Sequence, residues 1–163
     1  MSARNSAKGL VVHDGKLLVN RCISRFGEYY ALPGGGQNTG EMLSETVRRE
    51  VLEETGLTLT DYRCRGVVTF LSDEWEGEYM YLYTATGFTG DLIECGEGTL
   101  EWVPIEDAEK LPIWEGDKIF FRLLAEEHPP FLLKLEYSGD LLVRAVLDGR
   151  ELPIKGEKHD DEV

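Results

Sequence analysis

Residues 35–57 read Gly35-Gly-Gln-Asn-Thr-Gly-Glu-Met-Leu-Ser-Glu-Thr-Val-Arg-Arg-Glu-Val-Leu-Glu-Glu-Thr-Gly-Leu57, a glycine-rich loop followed by a predicted helix. On that helix Glu50, Glu53 and Glu54 stand three and four residues apart, so their side chains are neighbours about one turn apart. Carboxylates held this close repel one another, and a hard divalent cation is the simplest compensation. The stretch therefore predicts a divalent-metal site.

The apolar residues of the same helix indicate where the carboxylates point. At about 100° per residue, Leu43, Val47 and Val51 form one stripe. The three glutamates fall inside the sector of that stripe or at its edge, so we expect them to face the protein body. Gly56 favours a helix end, because glycine readily takes the left-handed conformation that closes a last turn. A glutamate-rich surface helix is the alternative interpretation.

The spacing of the whole stretch bears on these alternatives. It runs Gly, five residues, Glu, seven residues, Arg-Glu-Val, one residue, Glu-Glu, one residue, Gly-Leu. In this it resembles the box of the Nudix hydrolases at every defined position. The resemblance implies an α/β/α sandwich with a mixed β-sheet. It also implies a Mg²⁺-dependent hydrolase, with Mn²⁺ able to substitute, that cleaves the diphosphate linkage of a nucleoside diphosphate linked to another moiety.

The resemblance further implies which residues form the site. The implied metal ligands are the main-chain carbonyl of Gly34 and the side chains of Glu50, Glu53 and Glu54. Arg49 resembles the arginine that holds a glutamate in place by a charge-assisted hydrogen bond. The proton of the attacking water would go to Glu50 or Glu53, and members of the family differ on this point.

Two further glutamates receive predicted roles. Glu41 is expected to fix the loop against the helix. A later acidic residue often joins the metals in Nudix enzymes, and Glu97 is our candidate because its glycine-flanked turn gives the backbone freedom to approach the site. A solvated loop glutamate is the alternative interpretation of Glu97.

Candidates for substrate binding rest on weaker patterns. Tyr79, Tyr81 and Tyr83 alternate along one predicted strand and so share one face. We consider Tyr81 and Tyr83 as candidates to stack a nucleobase, although packing at a sheet–helix boundary is the more common role of such tyrosines. Arg25 is a candidate to bind phosphate oxygens, and an exposed surface arginine is its alternative interpretation.

The favoured substrate is a nucleoside triphosphate or its oxidised form. An ADP-sugar and a dinucleoside polyphosphate are the alternative substrates, and a non-catalytic Nudix-fold module that binds a nucleotide is the alternative function. Non-catalytic relatives usually show damage in the Arg-Glu-x-x-Glu-Glu core, which is intact here from Arg49 to Glu54. The sequence therefore favours the enzyme.

Apolar runs on both sides of the box predict the fold. Residues 10–12 and 17–19 flank an Asp-Gly pair, which favours a hairpin. A second helix is expected over about residues 117–127. Strands before and after one helix, with a second helix later, indicate a mixed sheet packed between helices. The remaining predicted strands cover residues 29–32, 67–71, 79–84 and 100–103.

The C-terminal part extends this pattern. Apolar runs at 131–137 and 141–147 surround Ser-Gly-Asp, which predicts a β-hairpin. We therefore expect a Nudix domain over residues 1–130, a hairpin extension of the same domain over 131–154 and an acidic, disordered tail over 155–163. The apolar side chains of the hairpin must be covered by the domain or by a second copy, so a homodimer is a hypothesis.

Composition limits the partners. A chain of 163 residues with 42% hydrophobic content suits one domain with a substantial core. The net charge of −14 argues against sequence-independent binding of polymeric nucleic acid, which depends on Lys and Arg. A small phosphorylated nucleotide remains compatible, because bound metal reverses the local field. No apolar run is long enough to span a bilayer, so we expect a cytoplasmic protein without a membrane partner.

Overall fold

The structure is a computed structural model that describes residues 3–25, 27–94 and 98–154. Glu97, the candidate loop ligand, and the predicted tail over residues 155–163 lie outside the described residues. No helix in the described part of the chain is long and apolar enough to cross a membrane.

The described residues form ten strands, two α-helices and one 3₁₀ helix. The helices are α1 (Leu43–Thr55), the 3₁₀ helix (Ile105–Lys110) and α2 (Glu115–Ala125). The strands are β1 (Ala3–His13), β2 (Lys16–Ser24), β3 (Gly27–Ala31), β4 (Gly34–Gly36), β5 (Thr58–Ser72), β6 (Gly77–Thr89), β7 (Thr99–Pro104), β8 (Phe131–Ser138), β9 (Leu141–Leu147) and β10 (Arg150–Leu152).

All ten strands belong to one mixed sheet. Its order is β10-β9-β8-β5-β6-β1-β2-β3, with β4 paired to β1 and β7 paired to β2. β1 pairs with β6 in parallel and β5 with β8 in parallel, and the other pairs are antiparallel. The β1–β2 turn contains Asp14 and Gly15, both at positive φ, as the Asp-Gly pair predicted.

Apolar residues cover both faces of this sheet. Val47 and Val51 of α1 pack with a cluster that includes Val11 and Leu59. Phe120 of α2 packs in a second cluster, with residues such as Leu10, Leu82 and Leu133. Because Leu10 and Val11 are neighbours on β1, the two clusters lie on opposite faces of the sheet. The fold is thus the α/β/α sandwich that the sequence predicted.

Several element boundaries differ from their predictions, and those of α2 and β5 have a clear physical cause. The second helix begins and ends two residues before the predicted range of 117–127. Glu127 has a φ of 52°, outside the helical region, and the N–H of His128 closes the turn on the carbonyl of Leu123. β5 begins at Thr58, shortly after α1, whereas the predicted strand begins at residue 67. The prediction relied on apolar runs, and polar residues interrupt the apolar ones in the first half of β5.

The predicted C-terminal hairpin is part of the main sheet. β8 runs parallel to β5, and β9 and β10 continue the sheet to its edge. The alternate residues Phe131, Leu133, Leu135 and Tyr137 of β8 are buried in the α2 cluster. A Cβ at Gly66 would lie 2.7 Å from the ring of Phe131, so the glycine lets this ring pack against β5.

The opposite face of the hairpin keeps apolar side chains in solvent. Leu132, Leu141 and Val143 are all exposed. The homodimer therefore stays a prediction. The monomer mass at every concentration of a dilution series in analytical ultracentrifugation would contradict it.

Burial on β8 generates a stability prediction. Leu133→Ala is expected to lower the free energy of unfolding by about 2–5 kcal/mol, because it leaves a cavity in the core. Leu132→Ala, one residue away on the exposed face, is the matched control and is expected to change it by less than about 0.5 kcal/mol. Urea denaturation of both variants measures the difference. Equal effects would show that β8 is not anchored through its inner face.

Candidate active site

Helix α1 has defined ends, so its glutamates occupy fixed positions. At its start, the carboxylate of Glu45 accepts a hydrogen bond from the N–H of Met42 at 3.0 Å. At its end, Gly56 adopts a φ of 85° and its N–H donates to the carbonyl of Leu52 at 2.9 Å. Asp91 and Ile93 pack against Gly56, where a Cβ would lie 2.5 Å from the carbonyl oxygen of Asp91.

Arg49 connects the helix to the glycine-rich loop. Its Nε donates to Oε2 of Glu41 at 2.7 Å, and its Nη2 donates to Oε1 of Glu41 at 3.1 Å. The same Nη2 donates to the carbonyl of Gly36 at 3.1 Å. Nη1 donates to Glu50 at 2.9 Å and to Glu53 at 3.3 Å. One guanidinium therefore orients three carboxylates and one backbone carbonyl.

Glu41 fixes the loop against the helix, in the position that the sequence predicted. Its Oε1 also accepts hydrogen bonds from the N–H of Asn38 at 3.0 Å and from the hydroxyl of Thr46 at 2.8 Å. The hydrogen bond from Arg49, followed by that from Asn38, lowers the pKa of Glu41 to about 2. The carboxylates of Glu41 and Glu50 in turn raise the pKa of Arg49 above its usual value. Both partners are therefore fully charged at neutral pH.

Two of the candidate ligands lie along the glycine loop. A Cβ at Gly35 would lie 2.6 Å from Cδ of Glu50, so only glycine leaves room for this carboxyl group. Oε2 of Glu54 accepts a hydrogen bond from the N–H of Gly34 at 3.1 Å. The side chain of Glu50 is only 17% exposed, whereas that of Glu53 is 60% exposed. Glu50 and Glu54 face the protein body as predicted, but the prediction was wrong for Glu53.

The donor set suits a hard divalent cation. Carboxylate oxygens are the ligands that Mg²⁺ and Mn²⁺ prefer. Glu41, Glu50 and Glu53 share the single positive charge of Arg49, so negative charge remains for a cation to neutralise. In the ranges that the structure describes, no three acidic, His or Cys side chains converge closely enough to form a metal cluster. The carboxyl group of Glu50 nevertheless lies directly beside the loop, in space that a Cβ at Gly35 would occupy.

A cavity of about 230 Å³ lies on the opposite face of the sheet, at the N-terminal end of α2. Trp114 and Tyr137 meet edge to face in its wall, with ring centroids 4.9 Å apart. The hydroxyl of Tyr137 accepts a hydrogen bond from the N–H of Gly116 at 2.8 Å. The full lining consists of Phe70, Glu78, Met80, Trp114, Asp117, Leu135 and Tyr137. We call it the aromatic cavity.

Asp117 gives this cavity a titratable group. Burial raises the pKa of its carboxyl group to about 7, and the charge of Lys8 opposes that rise. Lys8 links the cavity to the glycine loop, because a Cβ at Gly34 would lie 2.9 Å from its Cδ. Arg4 also links the cavity to the glycine loop. It pairs with the cavity residue Glu78 at 3.1 Å, and its Nη1 lies 3.7 Å from the position that a Cβ of Gly36 would occupy.

The predicted substrate residues lie elsewhere. Tyr81 and Tyr83 pack on the α1 face, whereas Met80, between them on the strand, faces the aromatic cavity. Tyr83 is buried, and this burial raises its pKa to about 12. Arg25 is exposed in the turn between β2 and β3. Roles of these three residues in substrate binding stay predictions.

Sequence reasoning missed the aromatic cavity. Asp117 reads in the sequence as an ordinary acidic residue in the first turn of a helix, where it complements the helix dipole. Phe70 and Tyr137 belong to strands that are far apart in the sequence and become close only through the parallel pairing of β5 with β8. Trp114 stands just before α2, where a single aromatic residue in the sequence is ambiguous between packing and binding.

Comparisons with known proteins agree with this geometry. The NUDIX domain family model matches residues 3–124. The chain is 34% identical to the uncharacterized Nudix hydrolase YvcI of Bacillus subtilis over 55% of this chain and 60% of that protein, so the match spans less than two thirds of the relative. It is 30% identical to the oxidized purine nucleoside triphosphate hydrolase of Danio rerio, over 85% of this chain and 90% of that protein.

A solved structure extends the match to the fold. The crystal structure of a MutT protein from Bacillus halodurans superimposes with a TM-score of 0.81 at 28% identity. The match covers 89% of this chain and 97% of the other, so it includes most of the sheet described above.

Asp117 generates a prediction about pH. Because the pKa of this group is higher in the folded state than the usual value near 4, ionisation costs folding stability, and stability falls as pH rises from about 4 to about 7. Asp117→Asn removes this effect. The difference in unfolding free energy between the variant and the wild type is expected to grow over that range and to level off above it. A difference that is constant with pH in urea denaturation would contradict the raised pKa.

Proposed function

Because the chain belongs to the NUDIX domain family, we propose that it is a Mg²⁺-dependent pyrophosphohydrolase whose substrate is a nucleoside triphosphate or its oxidised form. The reaction is attack of water on phosphorus and cleavage of the diphosphate linkage. The observation that carries this proposal is the intact Arg49 network, which holds Glu41 and Glu50 against the loop formed by Gly34 to Gly36.

The metal-binding role falls to residues on α1. Glu50, Glu53 and Glu54 would hold the metal, together with the carbonyl of Gly34. When bound, Mg²⁺ neutralises charge that develops on the phosphate oxygens and orients the attacking water. The chain itself positions the proposed ligands. Arg49 keeps the carboxyl group of Glu50 in place by a charge-assisted hydrogen bond and so limits its rotamers.

The proton of the attacking water requires a carboxylate acceptor. Glu50 and Glu53 are the two candidates on α1, and Glu97, which lies between β6 and β7 in the sequence, is proposed to join the metal ligands. The accessible position of Glu53 favours it, because its carboxylate is largely open to water whereas that of Glu50 is mostly enclosed. Its only described partner is the 3.3 Å hydrogen bond from Arg49, the longest that this guanidinium donates.

The aromatic cavity supports a nucleobase as the recognised part of the substrate. Phe70, Trp114 and Tyr137 provide ring faces and edges for stacking. Asp117, whose pKa is about 7, can accept or donate a hydrogen bond at the edge of a base. Lys8 lies between this cavity and Gly34, so a base in the cavity places its phosphates toward the loop.

The similarity to the oxidized purine nucleoside triphosphate hydrolase of Danio rerio supports the same substrate class. That alignment includes both the Arg49 network and the aromatic cavity, since it covers most of this chain. A non-catalytic nucleotide-binding module and an ADP-sugar or dinucleoside polyphosphate hydrolase remain the alternatives to be separated by experiment.

The direct test is turnover with a substrate panel. The purified protein is incubated with Mg²⁺ and nucleoside triphosphates, their oxidised forms, ADP-sugars and dinucleoside polyphosphates, and the products are identified by mass. We expect hydrolysis of a triphosphate at one of its two phosphoanhydride linkages, either between the α- and β-phosphates or between the β- and γ-phosphates. Glu53→Gln, which keeps the side-chain shape, is expected to lower kcat by about 10²–10⁴-fold. Nucleotide binding without turnover of any compound would support the binding module instead.

The two adjacent glycines provide a sharper test of Glu50 placement. A Cβ at Gly35 would collide with the carboxyl end of Glu50, which can move without unfolding the protein. Gly35→Ala is therefore expected to displace Glu50 and to lower kcat/KM by about a hundredfold. Gly36→Ala is the matched control, because the nearest atom to its Cβ is 3.7 Å away. Equal activities of the two variants, both folded by circular dichroism, would contradict the role of Glu50.

A further inference from the structure

Arg65 is buried, and no carboxylate in the described part of the chain pairs with it. Arg65 lies in β5 at a β-bulge, because the pairing with β6 passes from Cys64 to Gly66 and leaves Arg65 without an opposite residue. Such a bulge turns a side chain away from the regular alternation of the strand. Arg65 is only 7% exposed, so more than nine tenths of the residue is enclosed by protein.

The charge of Arg65 is poorly compensated. Its one described side-chain hydrogen bond runs from Nη1 to the hydroxyl of Thr84 at 3.4 Å, which is long for such a bond. Within residues 3–25, 27–94 and 98–154, no carboxylate forms an ion pair with it. Guanidinium groups keep their proton in proteins. The N–H groups of Arg65 that do not donate to Thr84 are open to the solvent of the adjoining cavity, so they are available to bind an anion.

Arg65 lies in the wall of a large cavity with an apolar neighbour. The cavity has a volume of about 740 Å³. It shares five residues with an adjacent pocket of about 350 Å³. The adjacent pocket is mostly apolar, with Leu10, Leu17 and Phe121 among its lining residues, although two glutamates also line it. We call the two together the Arg65 cavity, and the residues common to both parts are Val12, Thr84, Ile105, Leu124 and Ala125.

The remaining charges of the Arg65 cavity are mostly at exposed positions. Arg63 adds a second positive charge. The carboxylates repel a ligand with several negative charges, while Arg65 in the cavity wall attracts a single one. This arrangement favours a monoanion with an apolar body. The five carboxylates of the two pockets are those of Asp61, Glu106, Glu109, Glu126 and Glu127.

We propose that the Arg65 cavity binds a small apolar monocarboxylate, with its carboxylate on the Arg65 guanidinium and its hydrocarbon part in the pocket lined by Leu10, Leu17 and Phe121. Arg and carboxylate groups match in geometry and form paired, charge-assisted hydrogen bonds. Each of the two pockets has a volume in the range of ligand sites in proteins.

The Arg65 cavity is separate from the candidate active site. It lies at the C-terminal end of α2, at Leu124 and Ala125, whereas the aromatic cavity lies at the N-terminal end, at Asp117. At roughly 1.5 Å per residue, the helix separates them by about 10 Å. The glutamates of α1 are on the other face of the sheet. Binding at Arg65 therefore does not depend on the proposed hydrolase activity.

The test uses octanoate as the probe and 1-octanol as its neutral counterpart, with isothermal titration calorimetry on the full chain. Octanoate is expected to bind at least about tenfold more tightly than 1-octanol, because only the carboxylate pairs with Arg65. It is also expected to bind more tightly than butyrate, by about fourfold for each methylene group that becomes buried. Equal affinity for octanoate and 1-octanol would overturn the proposal without any variant, as would the absence of binding by either compound.

Substitution locates the binding. Arg65→Met keeps the aliphatic length and removes the charge, so it is expected to lower the octanoate affinity at least about tenfold and to leave the 1-octanol affinity unchanged. Arg48→Met, at an exposed position on α1, is the matched control and is expected to bind octanoate like the wild type. Unchanged octanoate affinity in Arg65→Met would overturn the proposal. Should this variant fail to fold, Arg65→Lys, which keeps the charge but not the paired geometry, is expected to bind octanoate with intermediate affinity.

Discussion

The guanidinium of Arg49 donates hydrogen bonds to oxygens on both sides of the junction between the glycine loop and α1. Without it, the carboxylates of Glu41, Glu50 and Glu53 would repel one another across a short stretch of backbone. Its planar shape matters as much as its charge, because Nε and Nη2 bind both oxygens of Glu41 while Nη1 remains for Glu50. A lysine would supply the charge but not these simultaneous directions.

The strand β1 places that junction next to the cavity on the other face. It pairs with β6 along most of its length, but its other edge pairs with β4 at residues 6–8 and with β2 at residues 12 and 13. Between these partners, the N–H of Gly9 donates to the carbonyl of Pro33 at 2.8 Å. The sheet therefore changes partner along this edge of β1. At that point the side chain of Lys8 lies against Gly34 of the glycine loop, and its charge acts on Asp117. Through Lys8, the glycine loop and the aromatic cavity are therefore adjacent.

Local chemistry explains which features the sequence predicted. Glu41, Arg49 and Glu50 belong to one loop and one helix, so fixed spacing was sufficient to place them together. The Asp-Gly turn of β1–β2 and the alternation in β8 are likewise local. Phe70, Asp117 and Tyr137 are brought together by the pairing of β5 with β8 and by the packing of α2. The spacing of residues within one helix or strand does not predict such long-range contacts. Arg65 was hidden for another reason, because its orientation comes from a bulge that breaks the alternation of β5.

The charge balance around α1 is consistent with the proposed dependence on a divalent metal. Glu41, Glu50, Glu53 and Glu54 contribute four negative charges near the loop, and Arg49 neutralises one of them. A polyphosphate approaching this surface meets like charge, in a protein whose net charge is already −14. Lys8 and Arg4 lie on the other side of the loop and offset part of this repulsion. A divalent cation bound there, as proposed, would reverse the sign of the field at the glutamates themselves, so the same carboxylates that repel a polyphosphate would hold it through the cation.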